Sequence, residues 1–244
     1  MLDQIININR DYESSVSSQV SLMFMRFVNV CIKTDPMVLV PIKISIYGKE
    51  TNIDDVAQVA IIDDDNFCII PFQESHIPQI LESIKLSHPE FSFDIQRITE
   101  DGLKPIDDNL EELGENERKV LIITVPEVNE DRRDTLNDAC DVLYDNCKAK
   151  TESFKVDYTQ RMTEATASFP ENLKKEALDM LKKTEEQNTN LRDTTYNNKK
   201  QEIEEAYQRY LAKQESKANM ENDNVVENDE TDGGSSFDMS KILS

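Results

Sequence analysis

The chain has 244 residues, a formal net charge of −22 from 49 Asp and Glu against 27 Lys and Arg, and a mean hydropathy of −0.60. That length supplies one or two domains with a real core, and no window approaches 18 consecutive apolar residues, which excludes a membrane span and a membrane partner. Only 5 glycines exclude a linker-dominated chain, and so acidic a balance argues against a general nucleic-acid binder, which must neutralise phosphates with Lys and Arg.

Residues 3 to 32 are predicted to form one amphipathic helix. Ile5, Ile8, Tyr12, Val16, Val20, Met23, Phe27 and Val30 recur at steps of three and four, which places them on one face. Thr34-Asp35-Pro36 ends it, because Pro removes a donor and restricts the residue before it. From Met37 the pattern changes to short β-branched runs at Val38–Val40, Ile42–Ile46, Gln58–Ile62 and Phe67–Ile70, all predicted strands. Asp63-Asp64-Asp65-Asn66 joins two of them as a tight turn, a stronger reading than a divalent-ion site.

Ile77–Leu86 is predicted as a short helix with Ile77, Ile80, Leu81 and Ile84 inward. Ser87 to Glu117 is acidic and without periodicity, and Lys119–Val125 is a final strand. Asn129 then caps a helix with acids in its first turn. Leu136, Cys140, Leu143, Cys147, Thr151, Phe154, Tyr158, Met162, Ala165 and Phe169 form a sustained seam, predicting a helix of about 40 residues, or about 60 Å. Pro170 suits the first turn of a last helix marked by Leu173, Ala177, Leu181, Leu191, Ile203, Tyr207 and Tyr210 and polar in its middle. None of three such helices can bury its stripe alone, so they must pack together.

The predicted fold class is therefore α+β: a long antiparallel three-helix bundle with a small β/α/β domain inserted after the first helix. The boundaries are 1–33 for the first helix, 34–126 for the inserted domain, 127–213 for helices two and three, and 214–244 for an acidic disordered tail. Cys31, Cys68, Cys140 and Cys147 form no CxxC pair and are expected as free buried thiols, not metal ligands. Two distant histidines, His76 and His88, support neither a triad nor a metal site. With no nucleophile–base pair and no P-loop, neither an enzyme nor a cofactor is expected.

Four stretches carry a family resemblance. Tyr47-Gly48, Thr51, Ile53, Val56-Ala57 and Val59 are similar to Y-G-x-x-T-x-L-x-x-L-A-x-V, and Asp63, Ile69 and Phe72 continue that register. Gly102-Leu103-Lys104-Pro105 is similar to G-L-N-P. Val125-Pro126-Glu127-Val128-Asn129-Glu130-Asp131-Arg132-Arg133, ending in Leu136, is similar to L-P-P-L-T-E-E-R-R-x-x-L. In order and on this architecture, over about residues 10 to 213, these motifs resemble the ribosome recycling factor family.

The resemblance implies an L-shaped, two-domain monomer that docks on the ribosome after termination. The bundle would touch large-subunit ribosomal RNA, and the inserted domain would swing to engage an elongation factor G-type GTPase that splits the subunits. Mapped by motif, the RNA contacts would be Lys33, Arg132, Arg133, Lys148 and Lys155, each a phosphate contact without base readout. The hinge would be Lys33, Thr34, Asp35 and Pro36 with Val125, Pro126 and Glu127. The reading of Arg132, Arg133 and Lys148 from the residues alone is different: solvated helix charges pairing with Asp138, Asp141 or Asp145.

The departures are specific. Val30-Cys31-Ile32-Lys33 stands where the family has an R-T-G-R-type stretch, so only Lys33 keeps its charge. The family's R-x-x-R-R becomes Glu152-Ser153-Phe154-Lys155-Val156: one charge kept, one lost at Val156 and one reversed at Glu152. By segment the net charge is 0, −12, −4 and −6, so the helical body is nearly neutral and the insert and tail hold the excess. These losses point to an organellar member, in a mitochondrion first or a plastid, with the bacterial cytoplasm the alternative. They also leave room for a degenerate paralogue that acts as a helical interaction scaffold without recycling activity.

Overall fold

The computed structural model describes residues 2–99, 102–106 and 117–229, and side chains within 3–219 of these. Helix α1 (Leu2–Asn29) buries Ile5, Ile8, Tyr12, Val16, Val20, Met23 and Phe27, the stripe predicted from spacing. Helix α3 (Glu130–Ala165) opens on Asn129, whose side chain accepts from the Arg132 amide, and α4 (Glu171–Asp229) opens after Pro170, whose carbonyl accepts from the amides of Leu173 and Lys174. Val20–Phe27 pack with Cys140, Cys147 and Ile203, while Ile5–Val16 pack with Tyr158, Met162, Ala177 and Leu181. Thus α3 runs antiparallel to both α1 and α4.

Between those two apolar clusters the bundle has a polar waist. Arg192 is only 6% exposed; it donates to Thr151 Oγ1 at 3.3 Å and pairs with Asp193 at 2.9 Å, beside Thr184 and Asn188. Tyr144 donates to the same Asp193 at 2.9 Å, and Ser17 donates to Asn188 Oδ1 at 3.2 Å, so the waist ties α4 to both other helices. Such a polar layer admits one axial register, because a slip would strand its buried donors. The polar middle predicted for the last helix is this layer.

The inserted domain holds a hairpin, β1 (Lys43–Ile46) with β2 (Lys49–Asn52), and a five-stranded antiparallel sheet of order β3-β4-β7-β5-β6. Its strands are β3 (Ala57–Ile61), β4 (Asn66–Pro71), β5 (Ser92–Thr99), β6 (Gly102–Pro105) and β7 (Arg118–Thr124). Helix α2 (Ile77–Ser87) covers one face with Ile77, Ile80 and Ile84 buried, over a core that includes Ile44, Phe67, Ile69, Leu121 and Ile123. The hairpin turn places both Tyr47 and Gly48 at positive φ (51° and 79°), the backbone twist a two-residue hairpin needs.

Three expectations are corrected. Val38–Val40 is no strand: Asp35 caps a 3₁₀ turn over Pro36–Val38, because its carboxylate accepts from the Met37 amide, and Val38 and Leu39 drop into the core as anchors. Within Ser87–Glu117 lie two strands, β5 and β6. The alternation of Phe93 and Ile95 with polar neighbours in β5 was masked by the acids around it. Helix α4 runs on to Asp229, past the expected boundary at 213. The continuation holds no Gly or Pro, and its Lys213 is anchored on the inserted domain. The remainder of the predicted tail, from residue 230 to 244, lies outside the described residues. No described helix is long and apolar enough to cross a membrane.

Candidate functional site

The candidate cations fall into two groups. Lys33, Arg132 and Arg133 lie at the junction between bundle and inserted domain. Lys148 and Lys155 lie farther along α3, starting about 22 Å from Arg133 at the helical rise.

At the junction the three differ. Lys33 is exposed and lines a hollow of about 370 Å³ with Phe24, Cys31, Lys199 and Glu202. Arg132 turns inward: its Nη2 donates to the Cys31 carbonyl at 2.9 Å, and burial pulls the guanidinium below its ordinary pKa. That contact fastens the start of α3 to the segment leaving α1. Arg133 turns outward, stacked at 4.4 Å on the Tyr207 ring and hydrogen-bonded to Asp134. A hydrogen bond with Asp134 lifts its guanidinium above the ordinary value.

On the mid-bundle face, Lys148, Glu152 and Lys155 share one side of α3, at spacings of four and three. Lys148 is exposed and makes no ion pair among the described residues, including the aspartates expected to take it. Lys155 is committed elsewhere. Its Nζ lies 2.6 Å from Glu185 on α4 and 4.0 Å from Glu152, and the Glu185 bond holds its ammonium above the ordinary range. Two carboxylates face that single ammonium, and they reinforce the burial that pushes Tyr12 up to about 12. Val156 is 68% exposed, an apolar side chain in solvent where the family motif has a charge. Farther along, Asp141 accepts from Lys200 at 2.7 Å and from Tyr196 at 2.6 Å; the Lys200 bond is the larger cause holding its carboxyl low.

The motif-mapped hinge divides under its hydrogen bonds. Thr34 donates from its amide to Asp64 O at 2.9 Å and from its hydroxyl to Asp63 O at 2.7 Å, and Val125 donates to Asp65 O at 2.8 Å. Asp35 and Pro36 belong to the 3₁₀ turn packed on the domain core. These four residues are thus tied to the inserted domain. Of the residues between, Cys31 packs in the inserted domain's core and Val30, Ile32 and Val128 in the bundle's, so the chain passes from one body to the other over Val30–Lys33 and Pro126–Val128. Sequence reasoning missed Glu185, Arg192 and Lys213. The first two lie in the polar middle of the last helix, which marked the place without the partners, and nothing local singles out Lys213.

All four cysteines are free and buried, as expected from their spacing. Burial pushes the Cys31 thiol up to about 12 and that of Cys140 up to about 11, so both are inert at neutral pH.

Comparison with known proteins places this geometry. A family model described as ribosome recycling factor matches residues 28–203. A solution structure of the ribosome recycling factor superposes with a TM-score of 0.64 at 15% identity, covering 84% of this chain and 100% of that one. A second match comes from models for the T. thermophilus ribosome recycling factor and the E. coli elongation factor G bound to the E. coli post-termination complex. It has a TM-score of 0.52 at 14% identity and covers 82% of this chain and 98% of that one. No curated protein sequence matches the chain.

Proposed function

The chain belongs to the ribosome recycling factor family, and from that premise we propose that it binds the post-termination ribosome and, with an elongation factor G-type GTPase, promotes subunit splitting and release of mRNA. The observation that carries the proposal is the pairing of a three-helix bundle with a sheet domain joined to it by two short connections, matched over the whole length of a solved recycling factor. Such a protein acts by shape and displacement, without making or breaking a bond itself.

In this reading Lys33, Arg133 and Lys148 meet phosphates of large-subunit RNA and position the bundle, and Lys155 joins them where it is released from Glu185. Arg132 acts behind them, holding the junction through Cys31. The acidic inserted domain faces the protein partner, where its charge steers a basic surface. An organellar, mitochondrial location goes with this reading, on the strength of the lost basic residues.

The test is a splitting assay with GTP and the partner GTPase, alongside cosedimentation with ribosomes over a salt series. Binding at low salt with GTP-dependent splitting is the expected result, and no binding at any salt overturns the proposal. The engagement of Lys155 by Glu185 favours one second reading, a paralogue retained as a helical scaffold. That reading requires ribosome binding to be absent, so the same cosedimentation separates the two.

A further inference from the structure

We propose that Lys213 is an electrostatic clasp that holds the inserted domain in one orientation against the bundle. Its ammonium, on α4 beyond the last buried bundle residues, donates to Asp65 Oδ2 at 2.8 Å and to Glu127 Oε1 at 3.0 Å. Asp65 belongs to the inserted domain and Glu127 to the chain returning from it, so one side chain joins three segments remote in sequence.

The turn that receives it is stiff. The Asp63 carboxylate accepts from the Asp65 amide at 2.8 Å and from Asn66 Nδ2 at 2.9 Å. These bonds hold its carboxyl below the usual range, with the Asn66 side-chain bond the largest cause. Asp65 also accepts from the Val125 amide, and Asp63 and Asp64 accept from Thr34, so both connections are fastened to this same turn. A pull on Asp65 therefore moves the inserted domain as a body.

The clasp works by sign as well as by contact. Without Lys213, Asp65 and Glu127 are two carboxylates left facing one site, and attraction becomes repulsion. About half of the Lys213 side chain is exposed (48%), so salt weakens the clasp. A phosphate-rich surface that draws Lys213 away would release the domain. This last consequence rests on the ribosome-ligand reading, whereas the clasp itself does not.

The test uses the full chain, spin-labelled at Glu82→Cys on the inserted domain and Gln187→Cys on the bundle; the four natural thiols are buried and stay unlabelled. The parent should give a single narrow distance distribution. In Lys213→Gln the population outside the main distance should rise roughly three- to tenfold, as it should in the parent at 1 M salt. Lys217→Gln, which removes the same charge one turn later, should stay narrow. An unchanged distribution in Lys213→Gln, or equal broadening in Lys217→Gln, overturns the clasp. If Lys213→Gln loses helical circular dichroism, Asp65→Asn is read on the same terms. No ribosome enters the experiment, so its failure and that of the functional reading are separable.

Discussion

Two arginines adjacent in sequence have opposite fates, and stability separates them. Arg132 hydrogen-bonds a carbonyl inside the junction, while Arg133 lies over Tyr207 in contact with solvent. Arg132→Ala should cost about 1–3 kcal/mol, the usual range for losing a partly buried charged hydrogen bond, read from the urea midpoint. Arg133→Ala should cost less, through the loss of its place over the Tyr207 ring, and weaken ribosome binding. Equal small losses from the two would place Arg132 with the RNA contacts instead. Lys155 poses the complementary case. A phosphate reaching it must displace Glu185 at 2.6 Å, whereas Glu152 stands off at 4.0 Å. Glu185→Gln should therefore raise ribosome affinity at low salt and steepen the slope of log K against log salt by about 0.7 to 0.9, one extra phosphate contact. Glu152→Gln should have the smaller effect, and no gain from Glu185→Gln would show that Lys155 meets no phosphate.

Among elements, the α3–α4 pair offers a pH experiment. The carboxyl of Asp141 is held low by its bonds to Lys200 and Tyr196. A carboxylate lowered by folding contributes stability that is present above its unfolded value near 3.9 and is lost as the pH falls through the folded value. The melting-temperature gap between the parent and Asp141→Asn should thus be largest at pH 7 and close below about pH 4, and a gap constant with pH would contradict it. How far each element was legible follows from the range of the forces that make it. The stripes of α1 and α3 were plain because a buried helix face repeats every three or four residues over many turns. The Asp63–Asn66 turn was plain because its bonds close within four residues. Val38–Val40 misled because β-branching marks burial as readily as extension, and β5 escaped because its alternation spans few residues among acids. The candidate site was legible by residue type and not by partner. Glu185 and Lys213 act across the fold, at separations where no periodicity reports them.

Across the whole molecule, a net charge of −22 and a role on RNA are compatible because the charge is not uniform. Residues 127–213 carry 19 acids and 15 bases, and the bases on the α3–α4 face are largely matched internally: Lys155 with Glu185, Arg192 with Asp193 and Lys200 with Asp141. Of the candidate contacts, Lys33 and Lys148 have no ion pair among the described residues, and Arg133 is paired with its neighbour Asp134 and stacked on Tyr207. On the proposed reading, ribosome affinity then comes mainly from fit, with about three phosphates neutralised. At about −0.7 to −0.9 per phosphate, log K against log salt should fall with a slope between about −2 and −3 in cosedimentation or fluorescence titration. A slope of about −6 or steeper would mean that the internal pairs open on docking and that the electrostatic grip is strong after all. The same titration on Lys213→Gln joins the two arguments. If the clasp must open for docking, that variant binds more tightly at low salt while its slope falls within the same range, because Lys213 was already paired and the work saved is conformational.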